Sequence, residues 1–102
     1  MASEDTPTPI DTDAVELEEY LLELTERLAK HAHDLWAMQR LRDGWKWGPV
    51  RCDSDRTHPC LVAYEELPEE EKIYDRSAAL GTLKAVIASG FQIIPTSPTD
   101  GP

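Results

Sequence analysis

Between Ala14 and Met38, apolar residues recur in steps of three and four, at Ala14, Leu17, Leu21, Leu24, Leu28, Leu35 and Met38, with an interruption only at His31. A strand would need a period of two, whereas steps of three and four gather side chains on one face of a helix. Such a helix must bury its apolar face, and a 102-residue chain has room for only one small core to bury it in. The helix is predicted to run from Asp13 to about Arg42. Asp13 suits an N-cap, Glu16 stands at the capping-box position three residues on, and the acids of the first turn complement the helix dipole. Gly44 supplies the stop.

The segment from Trp45 to Ala63 contains Gly48, Pro49, Pro59 and several charges but no apolar period, which predicts an ordered loop pinned by its aromatics. Leu67-Pro68 then opens a second helical stretch. Pro68 occupies a first-turn position it tolerates, and Glu69, Glu70 and Glu71 stand beside the positive helix end. Asp75 is a candidate cap for a continuation to Ser89 that presents Ala79, Leu80, Leu83, Val86 and Ile87 to the core, and Gly90 ends it. Phe91 to Ile94 is short and apolar enough for a brief strand against the loop. The predicted class is therefore mainly α, two helical segments with an ordered loop and a short β element. Residues 1–12, with Pro7, Pro9 and three threonines among acids, and residues 95–102, PTSPTDGP, read as disordered tails around a single domain at 13–94.

The formal charge of −10 is mostly an end effect. Nine acids precede Ala29 against Arg27 alone, and Asp100 adds another, so ten acids face nine bases between Ala29 and Pro95. The central region is nearly neutral and keeps bases for an anionic ligand. Duplex nucleic acid is a poor partner, because no basic face remains to neutralise several phosphates. With neither a long apolar run nor a basic, hydrophobic leader, the chain is expected to be cytoplasmic and away from membranes. Cys52 and Cys60 are accordingly expected to be reduced thiols.

From His33 to Phe91 a series of landmarks stands at fixed spacing: His33 and Trp36, Gly44-Trp45 with Trp47-Gly48-Pro49, Arg56-Thr57-His58-Pro59, Leu61 and Tyr64. Leu67-Pro68, Glu71-Lys72, Asp75-Arg76, Leu83-Lys84 and Gly90 continue it. This stretch resembles the ryanodine receptor repeat, the RyR domain of animal calcium-release channels and of prokaryotic proteins. The resemblance implies two antiparallel helices with small β elements, in agreement with the periodicity. It also implies a binding role, since the receptor repeats form pseudo-two-fold pairs with an adenine-nucleotide site between them and a tryptophan from each. Trp36 is the position that best matches that aromatic.

Three tryptophans are costly in so small a core, since each is large and carries an N–H that needs a partner, so at least one is expected to be partly exposed. Trp36 falls one position off the apolar stripe and one helical turn before Arg40, a pairing suited to a flat base and a phosphate. Trp45 and Trp47 either join that platform or anchor the loop. Arg51, Arg56 and His58, with Arg40, Arg42 and Lys46 upstream, form a candidate anion-binding fringe. Pairing with Asp43, Asp53, Asp55 and the acids from Glu65 to Glu71 is the competing explanation. Caps and helix-face pairs account for Lys72, Asp75 and Arg76 without a ligand. His31, His33, Cys52, His58 and Cys60 lack the short paired spacing of zinc modules, and no activating motif accompanies them, so neither a metal, a cofactor nor catalysis is expected. His33 is expected to make a fixed hydrogen bond inside the fold.

The expected function is a non-enzymatic module binding a nucleotide or nucleotide-derived molecule through Trp36, Arg40, Trp45, Trp47, Arg51, Arg56 and His58. With no effector in the chain, it would buffer or carry a signal or act through an effector partner. The alternatives are a structural or protein-interaction module that binds no small molecule and, more remotely, a nucleotide hydrolase. Because one repeat stands where the receptors use two, a homodimer through Leu17, Leu21, Leu24 and Leu28 is expected.

Overall fold

The structure is a computed structural model and describes residues 6–96. Helix α1 spans Glu19–Arg42 and helix α2 spans Glu69–Ala88, and between them lie two short strands, β1 (Lys46–Trp47) and β2 (Thr57–His58), and a 3₁₀ turn at Tyr64–Glu66. The helices pack antiparallel: the end of α1 meets the start of α2 at Trp36 and Glu71, and Leu22 near the start of α1 meets Leu80 farther along α2. The domain is thus mainly α, with a two-stranded sheet inside the connection.

Both helices end in the same way. Asp43 caps α1, the Gly44 N–H donates to the Leu41 carbonyl at 3.1 Å, and the Trp45 N–H donates to the Arg40 carbonyl at 2.9 Å. Gly90 and Phe91 repeat the pattern on Ile87 and Val86 at 3.0 and 3.3 Å. These are Schellman motifs, which require a left-handed residue, and Gly44 (φ 89°) and Gly90 (φ 101°) supply it.

The beginning of α1 differs from the prediction. Asp13 and Ala14 lie in a turn, and the helix starts six residues later, with Glu18 at the N-cap making no side-chain cap bond. The Asp13 N–H instead finds its partner locally, donating to Asp11 Oδ1 at 3.0 Å, the short side-chain bond by which Asp favours turns over helices. The buried line of α1 also differs, for it runs through Leu21, Thr25, Ala29 and His33 in steps of four. Leu17, Leu24 and Leu28 are half-buried, while Leu35 and Met38 are 53% and 50% exposed. Small residues decide this: Ala29 is fully buried against Tyr64 and Leu67, where a leucine would hold the connection away from the helix.

Helix α2 runs through Asp75 without a break, so Asp75 caps nothing. Leu83 is its buried residue, and Ala79, Leu80, Val86 and Ile87 are half-buried. Residues 91–94 form no strand. They lie along the start of α1, where the Tyr20 hydroxyl donates to the Ile93 carbonyl at 2.8 Å, while β1 pairs with β2 alone. Of the two predicted tails, residues 1–5 and 97–102 lie outside the described residues, and residues 7–12 have no regular secondary structure. None of the described helices is long and apolar enough to cross a membrane.

Candidate functional site

The strands bring the loop back to α1. They pair in parallel, Lys46 with Thr57 and Trp47 with His58, and an antiparallel bridge between Cys52 and Thr57 closes the turn inside them. Gly48 is essential to this closeness, since a Cβ there would stand 2.6 Å from Thr57 Cβ. The result is that His58 is delivered to Trp36, their ring centroids 5.0 Å apart edge to face.

Trp36 and Arg40 are one turn apart on α1 and share a face. The Schellman turn carries Trp45 back over that face, so the Arg40 guanidinium carbon lies 4.8 Å from the Trp45 ring centroid and 5.8 Å from that of Trp36. Trp45 also approaches His58, at 6.4 Å. Four of the expected residues, Trp36, Arg40, Trp45 and His58, thus form one cluster. The other three make no aromatic or cation–π contact with it among the described residues. Trp47 is 55% exposed, Arg51 Nε donates to Asp53 Oδ1 at 2.9 Å, and Arg56 Nη1 donates to the Asp43 carbonyl at 2.8 Å at the end of α1. Arg56 is a structural cap, and its φ of 57° makes it the non-glycine residue with left-handed backbone among those described.

The cluster borders a cleft of about 240 Å³ lined by His33, Trp36, His58, Cys60, Leu67, Glu71, Tyr74 and Asp75. The floor is fixed: His33 is buried and its Nε2–H donates to the Val62 carbonyl at 2.7 Å, the internal hydrogen bond expected of it. The Cys60 N–H donates to His58 Nδ1 at 3.0 Å, which requires a lone pair there and leaves the proton of the neutral ring on Nε2. Burial lowers the His58 pKa from its ordinary value, and the charges of Arg51 and Arg40 add to the effect. Burial pushes the Cys60 thiol up, with Glu71 and Asp75 reinforcing it. At neutral pH these two groups are therefore a neutral imidazole and an un-ionised thiol. Cys52 and Cys60 are both free, and among the described residues no group of three His, Cys, Asp or Glu side chains is arranged to hold a metal ion.

Sequence reasoning missed the α2 wall of the cleft. Glu71, Tyr74 and Asp75 stand at helical spacing on one face, a pattern present in the sequence, but nothing in it says that this face meets Trp36. The neighbouring charges behave as expected of surface pairs. Lys72 approaches Glu69 at 3.6 Å, and Arg76 joins the two helices, with Nε to Glu26 Oε1 at 2.6 Å, Nη2 to Glu26 Oε2 at 3.2 Å and Nη1 to Glu69 Oε1 at 2.9 Å. Of the expected dimer residues, Leu21 is 2% exposed and covered by its own chain. It offers no surface to a partner, whereas Leu17, Leu24 and Leu28 retain some.

The sequence model of the RyR domain family matches residues 5–95. The match begins well before His33, so the first half of α1 is part of the family's domain and not an addition to it. Spanning nearly the whole of this fold, it shows that the chain belongs to the RyR domain family.

Proposed function

We propose that this protein is a non-enzymatic binding module for a nucleotide or nucleotide-derived small molecule, which stacks its base at Trp36. The observation that carries this reading is the clustering of Trp36, Arg40, Trp45 and His58, of which Trp36 and His58 line one cleft. An aromatic face with a guanidinium beside it suits a flat base joined to a phosphate. Arg51 and Arg56 have intramolecular partners, so Arg40 is the principal phosphate contact in this reading. At about 240 Å³ the cleft is smaller than the roughly 300–1,000 Å³ usual for small-molecule sites. A second copy closing over Trp36 would enlarge it, which favours a homodimer as the binding form.

The test is calorimetric titration of adenine nucleotides and of cyclic and ADP-ribose-type derivatives into the wild type, Trp36→Ala and Arg40→Ala. Trp36→Ala is expected to weaken binding by about tenfold to a hundredfold, from the roughly 1–3 kcal/mol of a base stack. Arg40→Ala should reduce the salt dependence. Heat from none of the compounds, or equal affinity after loss of Trp36, refutes the nucleotide reading. One observation favours a protein-interaction module instead: Leu35, Met38 and Leu41, three residues apart on α1, are each about half exposed.

A further inference from the structure

The side of α1 turned away from the core carries a pattern of its own. Met38 follows the fully buried Ala29 at an interval of about two and a half helical turns, so it points the opposite way, outward. Leu35 stands three residues before Met38 and Leu41 three after it, and Leu35, Met38 and Leu41 are 53%, 50% and 54% exposed. Asp34 stands four residues before Met38 and Arg42 four after it, both exposed. Reading from Met38 in either direction therefore meets a leucine and then a charge, and the two charges are of opposite sign. Asp34 pairs at the surface with Lys30 at 3.4 Å, a cation it shares with Glu65 at 3.5 Å, and Arg42 enters no ion pair among the described residues.

A surface that reverses on itself in this way is complementary to a second copy of the same surface. When two such helices cross antiparallel about a two-fold axis at Met38, each residue comes level with the one equally far along the partner helix in the other direction. Leu35 then stands level with the partner's Leu41, and Asp34 with the partner's Arg42, each contact occurring twice. A parallel pairing would instead bring like charges together at both ends, and an unrelated partner would not call for the reversal. The result has the usual anatomy of an interface, an apolar centre within a charged rim. We propose that this outward face is a homodimer interface, in which two copies of α1 pack antiparallel across Met38 and Asp34 pairs with Arg42 at both ends. Trp36 lies two residues before Met38, about 200° around the helix, so the contact leaves the cleft uncovered and does not depend on the nucleotide reading. It is a different pairing from one that closes over Trp36, and different again from one through Leu24 and Leu28, which are half-buried and lie toward the start of α1.

The experiment is analytical ultracentrifugation of the full chain without ligand, over concentrations from micromolar to millimolar. It compares the wild type with Met38→Glu, Asp34→Arg, Arg42→Asp and the double variant carrying both charge reversals. The wild type is expected to dimerise as concentration rises, and Met38→Glu to remain a monomer. Each single reversal removes two exposed ion pairs, so it should raise the dissociation constant by at least about 2- to 30-fold. The double variant restores opposite charges at both ends and should recover the wild-type constant. A wild-type monomer at every concentration overturns the proposal, as does a dimer that survives Met38→Glu or one that Leu24→Glu alone dissociates. Single reversals without effect, or a double variant no better than either, overturn the antiparallel pairing. The substituted positions are exposed, so circular dichroism of each variant should match the wild type, and the wild-type series needs no variant to fold.

Discussion

Replacing Gly48 by Ala tests the joint that brings the loop to α1. The added methyl would meet Thr57 Cβ at 2.6 Å and Cγ2 at 3.1 Å, against a normal carbon separation of about 3.5–4.0 Å. A Cβ atom cannot rotate away as the end of a flexible side chain can, so the strands must separate by roughly 1 Å. The ladder has little to resist with, because the Gly48 N–H already reaches the His58 carbonyl at 3.3 Å, and an added ångström breaks that bond. Overpacking of this kind costs roughly 1–3 kcal/mol. In a domain of this size each kcal/mol lowers the melting temperature by about 4–8 °C, so a fall of roughly 4–24 °C is expected in thermal denaturation followed by circular dichroism. Thr57→Gly removes the opposing atom, and a double-mutant cycle should give a favourable coupling above about 0.5 kcal/mol. A Gly48→Ala melting curve indistinguishable from the wild type, or strictly additive effects of the two substitutions, would refute the close approach of β1 and β2.

Tyr64→Phe should be neutral or stabilising by up to about 1 kcal/mol in urea denaturation, because the buried Tyr64 hydroxyl has no partner at hydrogen-bond geometry among the described residues; a clear loss of stability would reveal a bond there, with Glu26 the neighbouring acceptor. The lowered pKa of His58 means that the unfolded chain binds its proton first as pH falls, so the stability His58 contributes is complete above about 6.5 and declines below it. Urea midpoints between pH 7.5 and 5 should show that decline in the wild type and a shallower one in His58→Gln. Arg76→Met, which severs the link between α1 and α2 at Glu26, should lower the urea midpoint without changing the slope of the transition, and an unchanged midpoint would show that the link carries no stability. For the dimer, light scattering at micromolar concentrations should give twice the 11.5 kDa chain mass. Leu21→Glu is unsuitable as an interface variant because it strikes the core, so Leu24→Glu and Leu28→Glu are the informative ones.

The helices and their ends were legible in the sequence because their causes are local. Three- and four-residue spacing needs only the chain itself to make a helical face, and Gly44 and Gly90 mark the stops through a backbone conformation that other residues resist. The start of α1 was not legible, since Asp11 and Asp13 signal a turn as readily as a cap. The strand expected at Phe91 to Ile94 failed for a different reason: apolar type alone does not make a strand, and here Phe91 and Ile94 stay exposed while only Ile93 is partly covered beside the start of α1. Trp36, Arg40 and His33 could be singled out from residue type and helical spacing. What only the tertiary structure decided is which of the many loop charges share a space with them. Arg56 and Arg51 were taken by Asp43 and Asp53, whereas Glu71 and Asp75 came to face Trp36. That choice depends on the antiparallel packing of α1 and α2 and on the approach of Gly48 to Thr57, contacts between residues distant in the chain, to which no local spacing corresponds.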